Sequence, residues 1–332
     1  MDRIHFLNVG QGSCSIIEHD SDRTTVIDVC NARPSGSRGL TLAKEASALD
    51  RGIGGNFHQK DHPVNPISYM KERQISDIFR YVQTHPDMDH MDGIEAFFDA
   101  FSPTNFWDTD NTKEMDSGWS GSPYRETDWK FYKRLRDNKP EAGPKRLTLH
   151  SGAKGPYYNQ GENGAAGGDD LHILAPTREL VNAANKADQD YNGCSYVLLY
   201  VTKHKRKIVF AGDSHDETWE HILKNHEDYV TDVDLLIAPH HGRASGRSYE
   251  FLDALTPTLT FFGNASSEHL AYGAWRNRNL RIITNNQANC MIVDTAAEPM
   301  NLYVTNEVFA RRINPNTYPE PSSGGWYVCG IT

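Results

Sequence analysis

Thr84-His85-Pro86-Asp87-Met88-Asp89-His90 places four residues able to bind a metal ion within six positions. The run follows Ile78-Phe79-Arg80-Tyr81-Val82-Gln83, whose branched and aromatic residues read as a strand. Alternate side chains of an extended segment share a face. His85, Asp87 and Asp89 are therefore expected to project to one side, with His90 following where the chain turns into a helix. Ile94, Phe97, Phe98 and Phe101 recur at i, i+3, i+4 and i+7, the stripe of that helix. Carboxylates this closely spaced are costly unless a cation offsets their charge, and a bound dication would do so.

Two more apolar strands stop at metal-ligand residues. Residues 208–211 lead to Gly212-Asp213, and residues 234–238 lead to Pro239-His240-His241-Gly242. Ligands of open α/β sheets gather outside the carboxyl ends of strands, where rigid backbone can hold side chains accurately. The rest of the chain supplies more strands. Residues 4–9 and 14–17 flank Gly10-Gln11-Gly12-Ser13 as a hairpin, and 24–29 form a third strand. Residues 196–201, 258–262, 281–284 and 290–294 complete the pattern, with a helix carrying Trp219, Ile222 and Leu223 on one face. The chain reads as one α/β domain over 1–312, with loop insertions at about 31–75 and 103–170 and an irregular tail at 313–332 rich in Pro, Ser and Gly.

The segment His85-x-Asp87-x-Asp89-His90 resembles the H-x-H-x-D-H motif of the metallo-β-lactamase superfamily, with Asp87 in the place of its second His. It is closer still to the branch containing the hydrolase domain of ComEC/Rec2-type DNA-uptake proteins. Phe6-Leu7-Asn8-Val9-Gly10-Gln11-Gly12-Ser13, Val26-Ile27-Asp28, Asn192-Gly193-Cys194-Ser195, Phe210-Ala211-Gly212-Asp213 and Ala238-Pro239-His240-His241-Gly242 resemble further elements of that branch, in order. The likeness spans about residues 4–30, 75–100 and 190–294. It implies an αββα sandwich with large loop insertions and two divalent metal ions, zinc or manganese, at one edge.

By that resemblance His85 and Asp87 hold one ion, Asp89, His90 and His241 the other, and Asp213 bridges them. Asp89 orients a hydroxide held by the metals. His240 either acts near the leaving group or is itself a ligand, since adjacent histidines cannot be separated by sequence. The usual third-motif His is missing, and Asn192 stands there as a ligand or substrate contact. With Asp87 for His, this makes the first position richer in oxygen, which weakens a zinc preference and favours manganese. His269 resembles a late histidine near the substrate, although Leu270 follows it where Pro is usual. Asp28 ends a strand and is read either as support for the site or as a plain loop residue.

The function implied is a metal-dependent hydrolase, a phosphodiesterase or nuclease acting on nucleic acid, a nucleotide or a small phosphodiester. Hydrolysis of a thioester, lactone or β-lactam is a second reading, although those enzymes use the His-rich motif. A third is a non-catalytic partner subunit, with a protein partner bound through the insertions. Other classes find no support. There is no G-x-G-x-x-G before a helix, no Walker A segment and no G-x-S-x-G. The net charge of -10 argues against a general phosphate-backbone binder. Lys203-His204-Lys205-Arg206-Lys207 reads as a solvated turn or a phosphate contact. Five scattered cysteines without C-x-x-C pairs read as buried small residues. No membrane-spanning run or secretion signal is seen in the 332 residues, so a cytoplasmic protein is expected.

Overall fold

Apolar runs become strands here because they are buried on both faces. In Lys207–Phe210, Ile208 and Phe210 enter one apolar cluster and Val209 the opposite one. Leu235–Ile237 repeats this, with Leu235 and Ile237 on one side and Leu236 on the other. Ile27 and Val82 face the same central cluster, while Val26 and Tyr81 face outward into a third. Strands covered on both sides carry continuous apolar sequence rather than alternation.

The computed structural model describes residues 2–34, 55–137, 143–161, 163–165, 167–187, 190–265 and 269–332. In chain order the strands are β1 (Arg3–Phe6), β2 (Ser15–Glu18), β3 (Thr24–Ile27), β4 (Ile78–Val82), β5 (Asn105–Trp107), β6 (Lys145–Leu147), β7 (Leu171–Ala175), β8 (Val197–Val201), β9 (Lys207–Phe210), β10 (Leu235–Ile237), β11 (Leu259–Phe262), β12 (Ile282–Thr284), β13 (Met291–Asp294), β14 (Met300–Val304), β15 (Pro319–Glu320) and β16 (Gly325–Ile331). One sheet runs β15-β16-β14-β13-β1-β2-β3-β4-β5-β6, the other β12-β11-β10-β9-β8-β7. β3 through β6 are mutually parallel, as are β9 through β12. The sheets meet over the central cluster, where Phe6 of one stacks on Phe261 of the other.

Helices cover both outer faces. Pro66–Glu72, Ile94–Phe101 and Glu126–Arg136 pack Met70, Phe97, Phe98 and Trp129 against the larger sheet. Asp216–Val230, Leu252–Leu255 and Tyr272–Arg276 pack Trp219, Ile222, Leu252 and Trp275 against the smaller. This is an αββα sandwich. Among the described residues, no helix is long and apolar enough to cross a membrane.

Several stretches read as irregular are not. The tail, residues 313–332, carries β15 and β16, and β16 pairs antiparallel with β14 despite its glycines. Within 103–170, β5 and β6 extend the larger sheet and Glu126–Arg136 packs on it. Of the first insertion, residues 35–54 lie outside the described residues, and Pro66–Glu72 is a helix capped by Asn65. The basic run 203–207 turns between β8 and β9, closed by Thr202 N–H donating to Arg206 O, with Lys203 and Lys205 exposed. Cys14, Cys30, Cys194 and Cys290 are buried and Cys329 is half-buried.

Away from the strand ends, a polar cluster locks the larger sheet to the 157–170 loop. Arg80 is buried, and its guanidinium donates to Asp169 (2.6 Å), Tyr157 O (2.7 Å) and Thr25 (2.9 Å). Such a buried charge is tolerated only because it is paired. Beside it His19 shares Thr25 at 2.7 Å. Burial, helped by Arg80, pushes the His19 imidazole from 6.5 down to about 3. Burial works against the Asp169 carboxylate, but Arg23, His19 and Arg80 prevail and hold it at about 2 rather than 3.8.

Both shifts make the fold acid-sensitive. The unfolded chain takes a proton on His19 below 6.5, whereas the fold resists until about 3, so stability falls as pH drops through that window. The ionised Asp169 contributes above 3.8, and that contribution is lost toward about 2. One proton is worth at most about 1.4 kcal/mol per pH unit. Urea midpoints measured from pH 7 to pH 4 should fall less steeply in His19→Gln than in the unchanged protein. Equal slopes would remove His19 from the account.

Candidate metal centre

The carboxyl ends of three parallel strands and their loops bring the ligand residues together. His85 lies beyond β4, Asp213 beyond β9, and His240 and His241 beyond β10. Two backbone devices hold them there. His240, His241 and Gly242 are all left-handed, with φ of 50°, 58° and 82°. A Cβ on Gly242 would lie 2.4 Å from the Phe262 ring, so the position requires glycine for space as well as conformation. A Cβ on Gly12 would lie 2.2 Å from Asp89 O, so the turn after β1 is the floor on which the motif rests.

The motif is extended only at its start. Met88–His90 form a short 3-10 turn whose leading residue, Asp87, keeps extended backbone. Asp89 therefore does not continue the alternation expected of it. The turn buries Met88 in the outer apolar cluster and carries Asp89 across to His241, with Oδ2 at 3.5 Å from Nε2.

Four buried atoms converge without hydrogen-bond partners: Nε2 of His85, His90 and His241, and Oδ1 of Asp213. His90 Nε2 is 3.3 Å from Asp213 Oδ1, without hydrogen-bond alignment. His85 Nε2 and His241 Nε2 lie 3.8 Å and 4.0 Å from Asp213 Oδ2. Two groups are compact enough for an ion among the described residues: His85, His90 and Asp213, and Asp89, His90 and His241, each with its ligand atoms within 4.8 Å of one another. A buried polar atom left unsatisfied costs roughly 1–3 kcal/mol, so four together need an external partner. The donor set of imidazole nitrogens and carboxylates fits a divalent metal ion.

A hydrogen-bond chain aims these imidazoles. Asp28 is buried, and its Oδ2 accepts from Thr84 Oγ1 at 2.6 Å and from His90 Nδ1 at 2.7 Å. The Thr84 hydroxyl spends its hydrogen on Asp28 and so accepts from His85 Nδ1 at 3.0 Å. Both rings thus aim Nε2 at the centre with Nδ1 committed behind it, the outer-shell arrangement common at metal-bound histidines. Thr84 N–H donates to Asp28 Oδ1, and Gln83 ties the His85 and His90 carbonyls. Burial and the neighbouring His90 lower the His85 imidazole. At His90 burial opposes the charge, but Asp213 and Asp28 overcome it and raise the imidazole well above its usual range. The histidines in turn hold the buried Asp213 carboxyl far below the usual carboxylate range.

The remaining expected residues lie around this centre. Asp87 approaches it at one oxygen, 3.8 Å from His85 Nε2, while its other oxygen accepts from Lys113 Nζ at 2.5 Å. Neither of the two compact groups contains Asp87. His240 Nε2 is 3.7 Å from Asp213 Oδ2, and His240 is absent from both groups. Asn192 opens a 3-10 turn and buries its Oδ1 without a partner; Ser195 Oγ of the same segment accepts from Asp213 N–H at 3.2 Å. His269 is exposed, and its carbonyl accepts from Ala244 N–H, joining its loop to the His240 loop.

Sequence reading did not foresee Lys113 or Arg247. Arg247 donates to the carbonyls of Asp213 (2.6 Å) and Ser214 (2.8 Å) and to His240 Nδ1 (2.8 Å). Neither has a motif: Lys113 lies in the aperiodic 103–170 stretch, and Arg247 follows a loop of small polar residues.

No protein-family model matches the chain, and no curated protein matches it. Among solved structures it is similar to a diphosphatase of the PhnP family, with 12% identity and a TM-score of 0.42 over 86% of this chain and 94% of that one. It is similar to a metallo hydrolase of the archaeon Ignicoccus hospitalis KIN4/I, with 10% identity and a TM-score of 0.43 over 85% and 94%. A metal-dependent hydrolase of Parabacteroides distasonis ATCC 8503 aligns at 10% identity and a TM-score of 0.39 over 84% and 91%. The likeness is one of broad architecture and carries no chemistry to this chain.

Proposed function

We propose that this chain is a metal-dependent hydrolase of phosphoesters, a phosphodiesterase or nuclease acting on nucleic acid, a nucleotide or a small phosphodiester. The observation that carries the reading is the convergence of three buried, unpartnered Nε2 atoms and Asp213 Oδ1 at the strand ends. His85, His90 and Asp213, or Asp89, His90 and His241, would hold manganese or zinc. Such an ion supplies Lewis acidity, acidifying water and offsetting charge on an attacked phosphoryl group. The mixed set of imidazole nitrogens and carboxylate oxygens admits zinc or manganese, and either ion can polarise a phosphoryl oxygen. The ComEC/Rec2-like motifs favour a phosphodiester within that class.

The chain's own residues divide the remaining work. Burial opposes ionisation of Asp89, but the neighbouring His241 and His90 imidazoles hold the carboxyl well below the usual range. Asp89 is thus an acceptor at neutral pH and, partly exposed, orients the attacking water. His240 has the opposite role. A guanidinium only donates, so the Arg247 contact makes Nδ1 of His240 an acceptor and leaves the hydrogen on Nε2. Burial and Arg247 outweigh Asp213 and push this imidazole down to about 4. Neutral at pH 7, it offers a hydrogen bond to a substrate oxygen, and the leaving group takes its proton from water. Asn192 and His269 are proposed as substrate contacts.

Purified protein given manganese or zinc should cleave bis(4-nitrophenyl) phosphate. Asp89→Ala should lower that rate by about 100-fold or more with an unchanged melting curve; an Asp89→Ala protein with full activity would refute the assignment. A separate measurement addresses the ring-aiming network. Asp28→Asn should weaken metal binding by roughly 10–100-fold in calorimetric titration, because the His90 tautomer is no longer fixed. Unaltered affinity would show that Asp28 serves the fold only.

A further inference from the structure

The metal-centre reading rests on two kinds of carboxylate, and they are not equivalent. Asp213 has a buried oxygen without a partner, whereas Asp87 already has a cation. The Lys113 ammonium sits 2.5 Å from Asp87 Oδ1, and the other Asp87 oxygen is 3.8 Å from His85 Nε2. That places an ammonium on the carboxylate that the motif resemblance pairs with His85 around a metal ion.

The lysine is built into this position. Its backbone N–H donates to Asn111 Oδ1 at 3.2 Å and its carbonyl accepts from Arg136 Nη1 at 2.6 Å. Asn111 is buried and anchored by Asp108 at 3.1 Å and by the Tyr132 hydroxyl at 2.5 Å. The side chain is mostly covered, and Nζ lies 5.6 Å from the centroid of the Tyr191 ring, an arrangement that further favours the cation. Tyr191 immediately precedes Asn192, the residue standing where a third imidazole ligand would be expected.

The ligand inventory agrees. His90 has one nitrogen for an ion, since Nδ1 is committed to Asp28. Yet both compact groups, His85 with His90 and Asp213, and Asp89 with His90 and His241, require that same nitrogen. One ion can use it, and a second would have to draw on His85 and Asp87, beside the ammonium. Like charges at such separations repel strongly in a water-poor site.

We infer that Lys113 is the second cation of this centre: it neutralises Asp87 and keeps the site to one metal ion per chain. An ammonium has three N–H donors and Asp87 uses one, so Lys113 can also hydrogen-bond an anionic substrate group. This inference rests on the metal-centre reading above and replaces the two-ion expectation with one.

The test is metal stoichiometry, read by elemental analysis after equilibrium dialysis against manganese(II) and by electron paramagnetic resonance of the loaded protein. The unchanged protein should hold one ion with an uncoupled manganese spectrum. Lys113→Gln should hold two, with the spectral broadening of a coupled pair, and Lys113→Arg should stay at one. Two ions in the unchanged protein or in Lys113→Arg, or one in Lys113→Gln, would overturn the inference while leaving a metal centre in place. No ion in any of the three would overturn the metal-centre reading itself and this inference with it. The unchanged protein's stoichiometry decides the matter even if Lys113→Gln fails to fold.

Discussion

Three imidazole nitrogens and a carboxylate oxygen are buried against one another with nothing to bond, and the organisation of the molecule follows from that constraint. An apolar interior would be cheaper for the fold than four unsatisfied polar atoms. What keeps them is the network behind them. Asp28, Thr84 and Gln83 use up the outward-facing nitrogens and carbonyls, so the inward-facing atoms cannot turn away to find partners. Charge is already partly settled there, since Asp213 and Asp28 hold a proton on His90. A metal ion that takes that nitrogen displaces the proton, which couples binding to pH.

The sandwich supplies the rigidity. Asp28, His85, Asp213 and the His240 loop all leave parallel strands at the same edge, and those strands are packed on both faces by apolar clusters. The two sheets contribute opposite halves of the site: His85 and His90 from the larger, Asp213 and His241 from the smaller. Slippage of one sheet against the other would therefore open the centre. The contact between Phe6 and Phe261 resists it.

Much of this could be read from the chain because its chemistry is local. A strand ending in His-x-Asp-x-Asp-His, another ending in Gly-Asp and a third in Pro-His-His-Gly identify themselves through an apolar run and the residue that follows. The six expected ligands do gather, with Asp87 turned partly aside. What stayed hidden depends on distance along the chain or on weak periodicity. Lys113 reaches Asp87 from a stretch without hydrophobic pattern. Arg247 acts mostly through carbonyls, which no side-chain motif records. β16 is masked by its own glycines and by the Pro- and Ser-rich turn before it, and forms because β14 offers it an edge. The alternation rule failed at Asp89 because a 3-10 turn beginning after Asp87 replaced the extended backbone.

The central claim is that a metal ion joins these atoms, and diffraction tests it most directly. Crystals grown with manganese(II) or zinc(II), measured at the absorption edge, should give an anomalous peak in contact with His90 Nε2, together with His85 and Asp213 or with Asp89 and His241. A map without a peak there, at saturating metal and with these side chains still converging, would contradict the account.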